Sequence, residues 1–381
     1  MVTGAYWPEL SGGGLQCRTM IAALRDRFRF RVFTTCTDPG LPSDDEVDGI
    51  PVQRAYVDLA RVSTKLNAAF RTLQYFRRHH QAFDIVHLHG FSHKSVLIVM
   101  LALLHRKKVV LTIHTAVHDE AGEARRRGPI TYWAYRQAHL YIAISSRIAS
   151  NYLAAGLPPA RLRLAPNGLD VTRFHPASQG ERDAARAALG LSPDVCWILF
   201  VGFFSKEKAP AVLFDAWLAM QAAAPPSGLL FVGATRSDYQ EVDERIAAKM
   251  VERAAALGLA ERVRFTGQLA NIEQAYHAAD IFVMPSTREA FGMVLVEAMA
   301  SALPVISSKL DGVTDEIVAH GDTGVLVPAG DAGALADAIR DLAGNAAGAA
   351  AMGARARESV VRRYGLDLAR QRWVEAYEAL S

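Results

Sequence analysis

Two glutamates eight residues apart, Glu289 and Glu297, stand on either side of Ala290-Phe291-Gly292-Met293-Val294-Leu295. A strand ends at Met284 and Pro285 just before them, a short polar loop carries Glu289, and a helix is expected to begin near Phe291 or Gly292 with Glu297 inside it. In an open parallel sheet, ligands bind where strand ends meet helix starts. A helix start offers free backbone N–H groups and a positive dipole end, which suits a diphosphate, and Gly292 lets that backbone come close to a ligand. The spacing then separates two chemistries. If the segment were helical throughout, the glutamates would lie about 12 Å apart, whereas a hydrolytic carboxylate pair sits roughly 5 to 9.5 Å apart across one bond. They can instead hold hydroxyls at the two ends of a diphosphate, one on a sugar and one on a ribose.

Other residues could complete such a site. Lys208 follows the apolar run Trp197 to Val201 and a turn, and its cation could meet phosphate or simply be solvated. Gly12-Gly13-Gly14 stands between a remnant strand, Met1 to Thr3, and a helix expected from Leu15 to Leu24. Its amides could meet a phosphate, and a bare glycine turn fits the same residues. The short remnant leaves room for a start farther upstream. His114 ends the run Val109 to Ile113, where a side chain can project from the sheet. His87 and His89 share a strand face and, with His93, His114 and His118, could suggest a metal cluster. No carboxylate pattern accompanies them, so no metal is expected.

Parallel strands joined by helices must position these residues. Short apolar runs alternate with helical patterns throughout the chain: Phe30 to Thr34, Ile85 to Leu88, Val109 to Ile113, Leu140 to Ile144, Trp197 to Val201, Leu229 to Val232, Val263 to Thr266, Ile281 to Met284 and Val305 to Ser307. Nine runs exceed one sheet of usual size and predict two. The joint falls in the turn-rich stretch from Ala165 through Pro176. The tail from Ala354 to Leu380 reads as helix broken at Gly365, and the alanine-glycine-rich stretch from Gly344 to Gly353 as a loop or weak helix end.

Composition agrees with two domains, because 381 residues with 51% hydrophobic content can fill two cores. A formal charge of +3 gives no support to nucleic acid as a partner. Cys17, Cys36 and Cys196 are too few and too scattered for a disulfide framework, no apolar run is long enough to span a bilayer, and the first residues lack the regions of a signal peptide. A cytoplasmic location is expected, with possible peripheral contact at the inner face of the membrane. That contact concerns Arg61 to His80, which has no acid and carries Val62, Leu66, Phe70, Leu73 and Phe76 at helical spacing. The plainer expectation is a core helix with a solvated basic face. The sharper one is contact with anionic lipid or an anionic acceptor, to which Arg125-Arg126-Arg127, expected in a loop, could contribute.

Glu289 to Glu297 resembles the E-x7-E motif of the retaining glycosyltransferases of family 4. The flanking Ala290-Phe291-Gly292-Met293, Glu297-Ala298-Met299-Ala300 and Gly312 to Val318 are similar too, as is Gly321 to Val327. So are Gly12 to Gly14, Phe83 to His89, Thr112 to His114, Pro166 to Asp170 and Phe200 to Lys208, in the family's order. The resemblance implies an α/β GT-B fold, two Rossmann-like domains facing each other across a cleft. It places an acceptor-side domain at residues 1–175, with 360–381 as a C-terminal helix crossing back to it, and a donor-binding domain at 176–359. It further implies that Glu289 binds sugar hydroxyls, that Glu297 binds the ribose and that Lys208 neutralises phosphate charge. His114 would lie beside the sugar's 6-hydroxyl and anomeric centre. Gly13, Gly14, Phe291, Gly292, Met293, Val294 and Leu295 complete the donor-binding set, chiefly through backbone amides. Where the family commonly has an arginine after Phe200-Val201-Gly202, this chain has Phe203, so half of the usual cationic clamp is missing. The reaction so implied is transfer of a hexose-type sugar from a nucleotide-diphosphate donor to an unidentified acceptor, with retention and with no cofactor or metal. The acceptor could be a glycolipid, a polysaccharide or a small molecule. A nucleotide-sugar hydrolase or epimerase of the same fold, or a non-catalytic sugar-nucleotide binder, are the alternatives.

Overall fold

Runs of β-branched and aromatic residues form strands, and the amphipathic segments between them form helices that return the chain to the same end of a sheet. The structure, a computed structural model, describes residues 1–9, 11–58, 60–115, 118–221, 226–235 and 242–380. It divides into two units, residues 1–168 with 366–381, and residues 169–365. The first boundary thus precedes the stretch 169–175, and the chain re-enters the first unit at Leu366 rather than at 360.

The first unit holds β1 (Val2–Thr3), β2 (Val32–Cys36), β3 (Asp44–Val47), β4 (Ile50–Tyr56), β5 (Ile85–His89), β6 (Lys108–Ile113), β7 (Leu140–Ala143) and β8 (Leu162–Leu164). They lie in the order β3-β4-β2-β1-β5-β6-β7-β8. Every pairing is parallel except β3 with β4, a hairpin turned at Asp48-Gly49, both with positive φ. Its helices are α1 (Gly12–Leu24), α2 (Val62–His79), α3 (His93–Leu104), α4 (Ala121–Arg126), α5 (Pro129–Tyr135) and α6 (Ser146–Ala154). Two expectations change here. Gly12 to Gly14 form the first turn of α1 rather than a loop before it, with Ser11 as N-cap. Arg125 and Arg126 lie in α4, and Arg127 caps it, bound to Glu123 and to the Phe91 carbonyl.

The second unit opens with α7 (Gln179–Leu189). It holds β9 (Cys196–Val201), β10 (Ser227–Val232), β11 (Val263–Phe265), β12 (Ile281–Met284), β13 (Val305–Ser308) and β14 (Val325–Val327). Their order is β11-β10-β9-β12-β13-β14, all parallel. This is the dinucleotide-fold order in which the direction of winding reverses between the first and fourth strands, here β9 and β12. The remaining helices are α8 (Pro210–Met220), α9 (Glu244–Ala256), α10 (Glu273–Ala278), α11 (Met293–Ala300), α12 (Thr314–Ile317), α13 (Ala332–Gly344) and α14 (Ala346–Tyr364). The stretch 344–353, expected as a loop or weak helix end, is largely helix, because the Asn345 side chain caps α14 by accepting from the Gly348 amide. The unit's two ends meet where the Leu169 amide donates to the Tyr364 carbonyl.

After Gly365, α15 (Leu366–Glu378) belongs to the first unit. Trp373, Ala376 and Tyr377 pack there with Met20 and Leu24 of α1 and with Val110 and Ile142.

Helix α2 departs most from expectation. Of its five apolar stripe residues only Phe76 is buried; Val62, Leu66, Phe70 and Leu73 are exposed. The stripe does not serve as a core face, because Thr72, Tyr75 and Phe76 alone make the helix's buried contact.

Candidate active site

The reversal between β9 and β12 leaves a crevice at the carboxyl ends of two neighbouring strands, and the loops after those strands carry the residues singled out above. Lys208 Nζ lies 2.5 Å from Glu289 Oε1, which also accepts from Ser286 Oγ at 2.9 Å. The Glu289 side chain is only 9% exposed, so the ammonium supplies charge compensation that water cannot. A second clasp joins the same loops, because the Thr287 amide donates to the Glu207 carbonyl and Arg288 pairs with the Glu207 carboxylate.

Three residues beyond Glu289 the backbone turns through Gly292, whose φ of 97° lies in the left-handed region that only glycine adopts without strain. Helix α11 then begins at Met293. Among the described residues none accepts from the amides of Gly292, Met293 or Val294, whereas the Leu295 amide already donates to the Gly292 carbonyl. The free set is thus one amide shorter than Gly292 to Leu295. The Phe291 ring is buried against Tyr364, so Phe291 could meet a ligand only through its backbone. Phe203 is half-buried in the loop after β9, with Lys206 exposed nearby in sequence.

Glu297 lies in α11, a little over one turn into the helix. Its Oε2 accepts from Tyr276 Oη at 2.7 Å, and among the described residues Oε1 has no donor. Burial raises the Glu297 carboxyl above the usual carboxylate range, opposed by the Tyr276 hydrogen bond and by Arg173, itself paired with Glu273. One oxygen is fixed and the other is left to accept from a ligand hydroxyl.

In the first unit His114 stands at the end of β6. Its Nε2 lies 3.0 Å from His89 Nδ1, and the two rings stack. His89 stacks in turn on His87 and Trp373, while His87 Nδ1 meets Tyr377 Oη at 2.6 Å and its Nε2 meets Thr112 Oγ1 at 2.7 Å. Packing explains two of the glycines in the first turn of α1. A Cβ on Gly13 would touch the His114 ring at 3.4 Å, and one on Gly14 would strike the Ala5 carbonyl at 2.3 Å. The Gly14 amide is already used, donating to Ser11 Oγ at 3.0 Å, which removes it from the amides a phosphate could reach.

Asp119 fixes the His114 backbone. Oδ1 accepts from the Phe91 amide, and Oδ2 from the amides of His114 and Thr115, so one buried carboxylate ties the end of β5 to the end of β6. Burial raises its pKa, against those amide bonds. Asp119, Tyr276 and Arg173 escaped the sequence reading. Tyr276 is remote in sequence from Glu297, and an aspartate five residues past a histidine carries no motif.

Burial lowers the imidazole pKa of all three histidines, that of His114 to about 4. In the unfolded chain they take protons near 6.5, so acid favours unfolding, and stability is lost as pH falls below about 6.5. The first unit is expected to show a lower denaturant midpoint at pH 5 than at pH 7.5; equal midpoints contradict neutral burial. Among the described residues no group of three or more His, Cys, Asp or Glu side chains is placed to hold a metal ion.

Two family models cover successive parts of the chain: Glycosyltransferase Family 4 matches residues 10–173, and Glycosyl transferases group 1 matches residues 181–359. The chain belongs to glycosyltransferase family 4. Among curated members, the D-inositol 3-phosphate glycosyltransferase of Rhodococcus opacus is 36% identical over 206 residues, which is 53% of this chain and 44% of that protein. The chain thus matches less than half the length of that relative. The alpha-maltose-1-phosphate synthase of Mycolicibacterium smegmatis is 28% identical and aligns over 100% of this chain and 99% of its own. Among solved structures, Anabaena Alr3699/HepE in complex with UDP and glucose has the same fold, with a TM-score of 0.81, 21% identity and 99% of each chain covered. The two Rossmann-like units are those of the GT-B fold.

Proposed function

We propose that the chain is a retaining hexosyltransferase using a nucleoside-diphosphate sugar. The observation that carries this reading is the crevice of the second unit, where the Lys208–Glu289 pair, three free amides and the half-satisfied Glu297 follow one another. Lys208 and the amides of Gly292, Met293 and Val294 take the diphosphate, Glu297 a ribose hydroxyl and Glu289 the sugar hydroxyls. UDP and glucose accompany the Anabaena neighbour, which makes UDP-glucose the first donor to try.

In this reaction the bond from C1 to the phosphate oxygen breaks, and the acceptor hydroxyl bonds to C1 from the same face. Its proton passes to the departing phosphate oxygen. Charge developing on the diphosphate is met by Lys208 and the fixed amides, which need no reorganisation as it forms. Glu289 holds hydroxyls and forms no covalent bond to the sugar. Transfer is therefore expected to keep the donor's anomeric configuration and to survive excess chelator. NMR of the product linkage tests the first point. An inverted product overturns the reading, as does activity lost in chelator and restored by a divalent ion. Release of free hexose at the same rate with and without acceptors would favour a hydrolase.

The ribose role makes its own prediction. Tyr276→Phe removes the donor that orients Glu297 and is expected to weaken nucleoside-diphosphate binding by roughly three- to tenfold, the scale of one ordinary hydrogen bond, because Tyr276 acts on the ligand only through Glu297. Calorimetric titration measures it, and unchanged affinity in both Tyr276→Phe and Glu297→Gln would remove Glu297 from the site.

A further inference from the structure

We propose that the outer face of α2, α3 and α5 in the first unit is a docking surface for an anionic lipid bilayer. The inference rests on exposure and charge, not on the transferase reading. On α2, Val62, Leu66, Phe70 and Leu73 recur at four-, four- and three-residue spacing, so they form one stripe along the helix. They are 68%, 67%, 57% and 45% exposed. Scattered apolar residues on a surface need no explanation, but a continuous stripe does.

The stripe has neighbours of the same kind. Helix α2 packs beside α3, and α3 beside α5. Leu104 on α3 and Ile130 and Trp133 on α5 are also large, apolar and exposed. Three adjacent helices thus turn apolar side chains outwards.

Charge selects the occupant. None of the three helices contains an aspartate or glutamate, whereas α2 alone carries Lys65, Arg71, Arg77 and Arg78. Among the described residues none of these four cations forms an ion pair with an acid. An apolar stripe with unpaired cations on α2, together with an exposed tryptophan on α5, has the composition of surfaces that lie in the headgroup region of anionic membranes. A second copy of the chain would bring the same cations against them and is disfavoured by that repulsion. No helix of the described residues is long and apolar enough to cross a membrane, so the contact is peripheral.

Sedimentation of the full chain with vesicles tests this. Vesicles of 3:7 phosphatidylglycerol to phosphatidylcholine are expected to bind at least about tenfold more protein than phosphatidylcholine alone, since each basic residue near an anionic surface adds attraction. Half-molar salt should weaken that binding. The Leu66→Ser/Phe70→Ser and Arg77→Glu/Arg78→Glu variants should each lose most of it. All four sites are exposed, so circular dichroism and nucleoside-diphosphate affinity should stay at wild-type values. Equal binding to both vesicle types overturns the proposal, as does wild-type binding by both variants. So would a dimer in lipid-free solution that the same substitutions dissociate, which would make the face a protein interface.

Discussion

Glu289→Gln is expected to lower kcat by at least about 100-fold while leaving the affinity for free nucleoside diphosphate at or slightly above the wild-type value. The carboxylate holds the reacting sugar, and misplacement of a substrate by about 1 Å alone costs on the order of 100-fold. Free nucleotide carries no sugar and should not register the loss. Glutamine also releases Lys208 from its 2.5 Å contact, leaving that cation free for phosphate. The substitution removes a charge from a nearly buried group, so the variant should fold. Steady-state kinetics beside calorimetry separates the two effects. Wild-type turnover would remove Glu289 from the reaction, and a parallel loss of nucleotide affinity would move it to the nucleotide end.

Lys208→Met should give the complementary pattern. The loss of one charge-assisted contact to phosphate corresponds to roughly 10- to 100-fold weaker nucleoside-diphosphate binding, with kcat falling as well because the leaving group loses its cation. Glu289, 9% exposed, would keep Ser286 as donor but lose its counter-charge. Leaving such a buried acceptor partly unsatisfied is expected to cost roughly 1–3 kcal/mol of stability. Denaturant unfolding of the variant checks this, and binding and stability both at wild-type values would make Lys208 an ordinary solvated lysine. A double variant with Glu289→Gln should recover much of the stability, because no unpaired carboxylate remains.

The strand pattern was legible because each of the nine runs concentrates β-branched and aromatic residues within a few positions, and each is a strand. The strands missed have other compositions. Asp44–Val47 is an acidic edge strand whose clearest signal was the Asp48-Gly49 turn after it, Ile50–Tyr56 is interrupted by Pro51, Gln53 and Arg54, and Leu162–Leu164 and Val325–Val327 are three residues each. Glu289, Glu297 and Lys208 stand at strand-to-helix junctions that are local in sequence, so the sequence can offer them as candidates, Lys208 through the family resemblance. Not every orienting partner in the two units is local. Tyr276 reaches Glu297 from α10, and Asp119 joins two strand ends through backbone amides that no side-chain pattern reveals. Helix α2 shows the limit differently. Its periodicity correctly predicts an amphipathic helix, but periodicity does not say what covers the apolar side, and the fold turns that side outwards.

The crevice of the second unit is expected to take a nucleoside diphosphate. Isothermal titration of the wild-type chain, Glu297→Gln and Lys208→Met with UDP, GDP and ADP in excess chelator tests this most directly. One nucleotide is expected to bind with a stoichiometry of one, about tenfold or more weaker to each variant, since each removes a contact to a charged group. No binding of any of the three, or binding that both variants leave unchanged, would contradict the account.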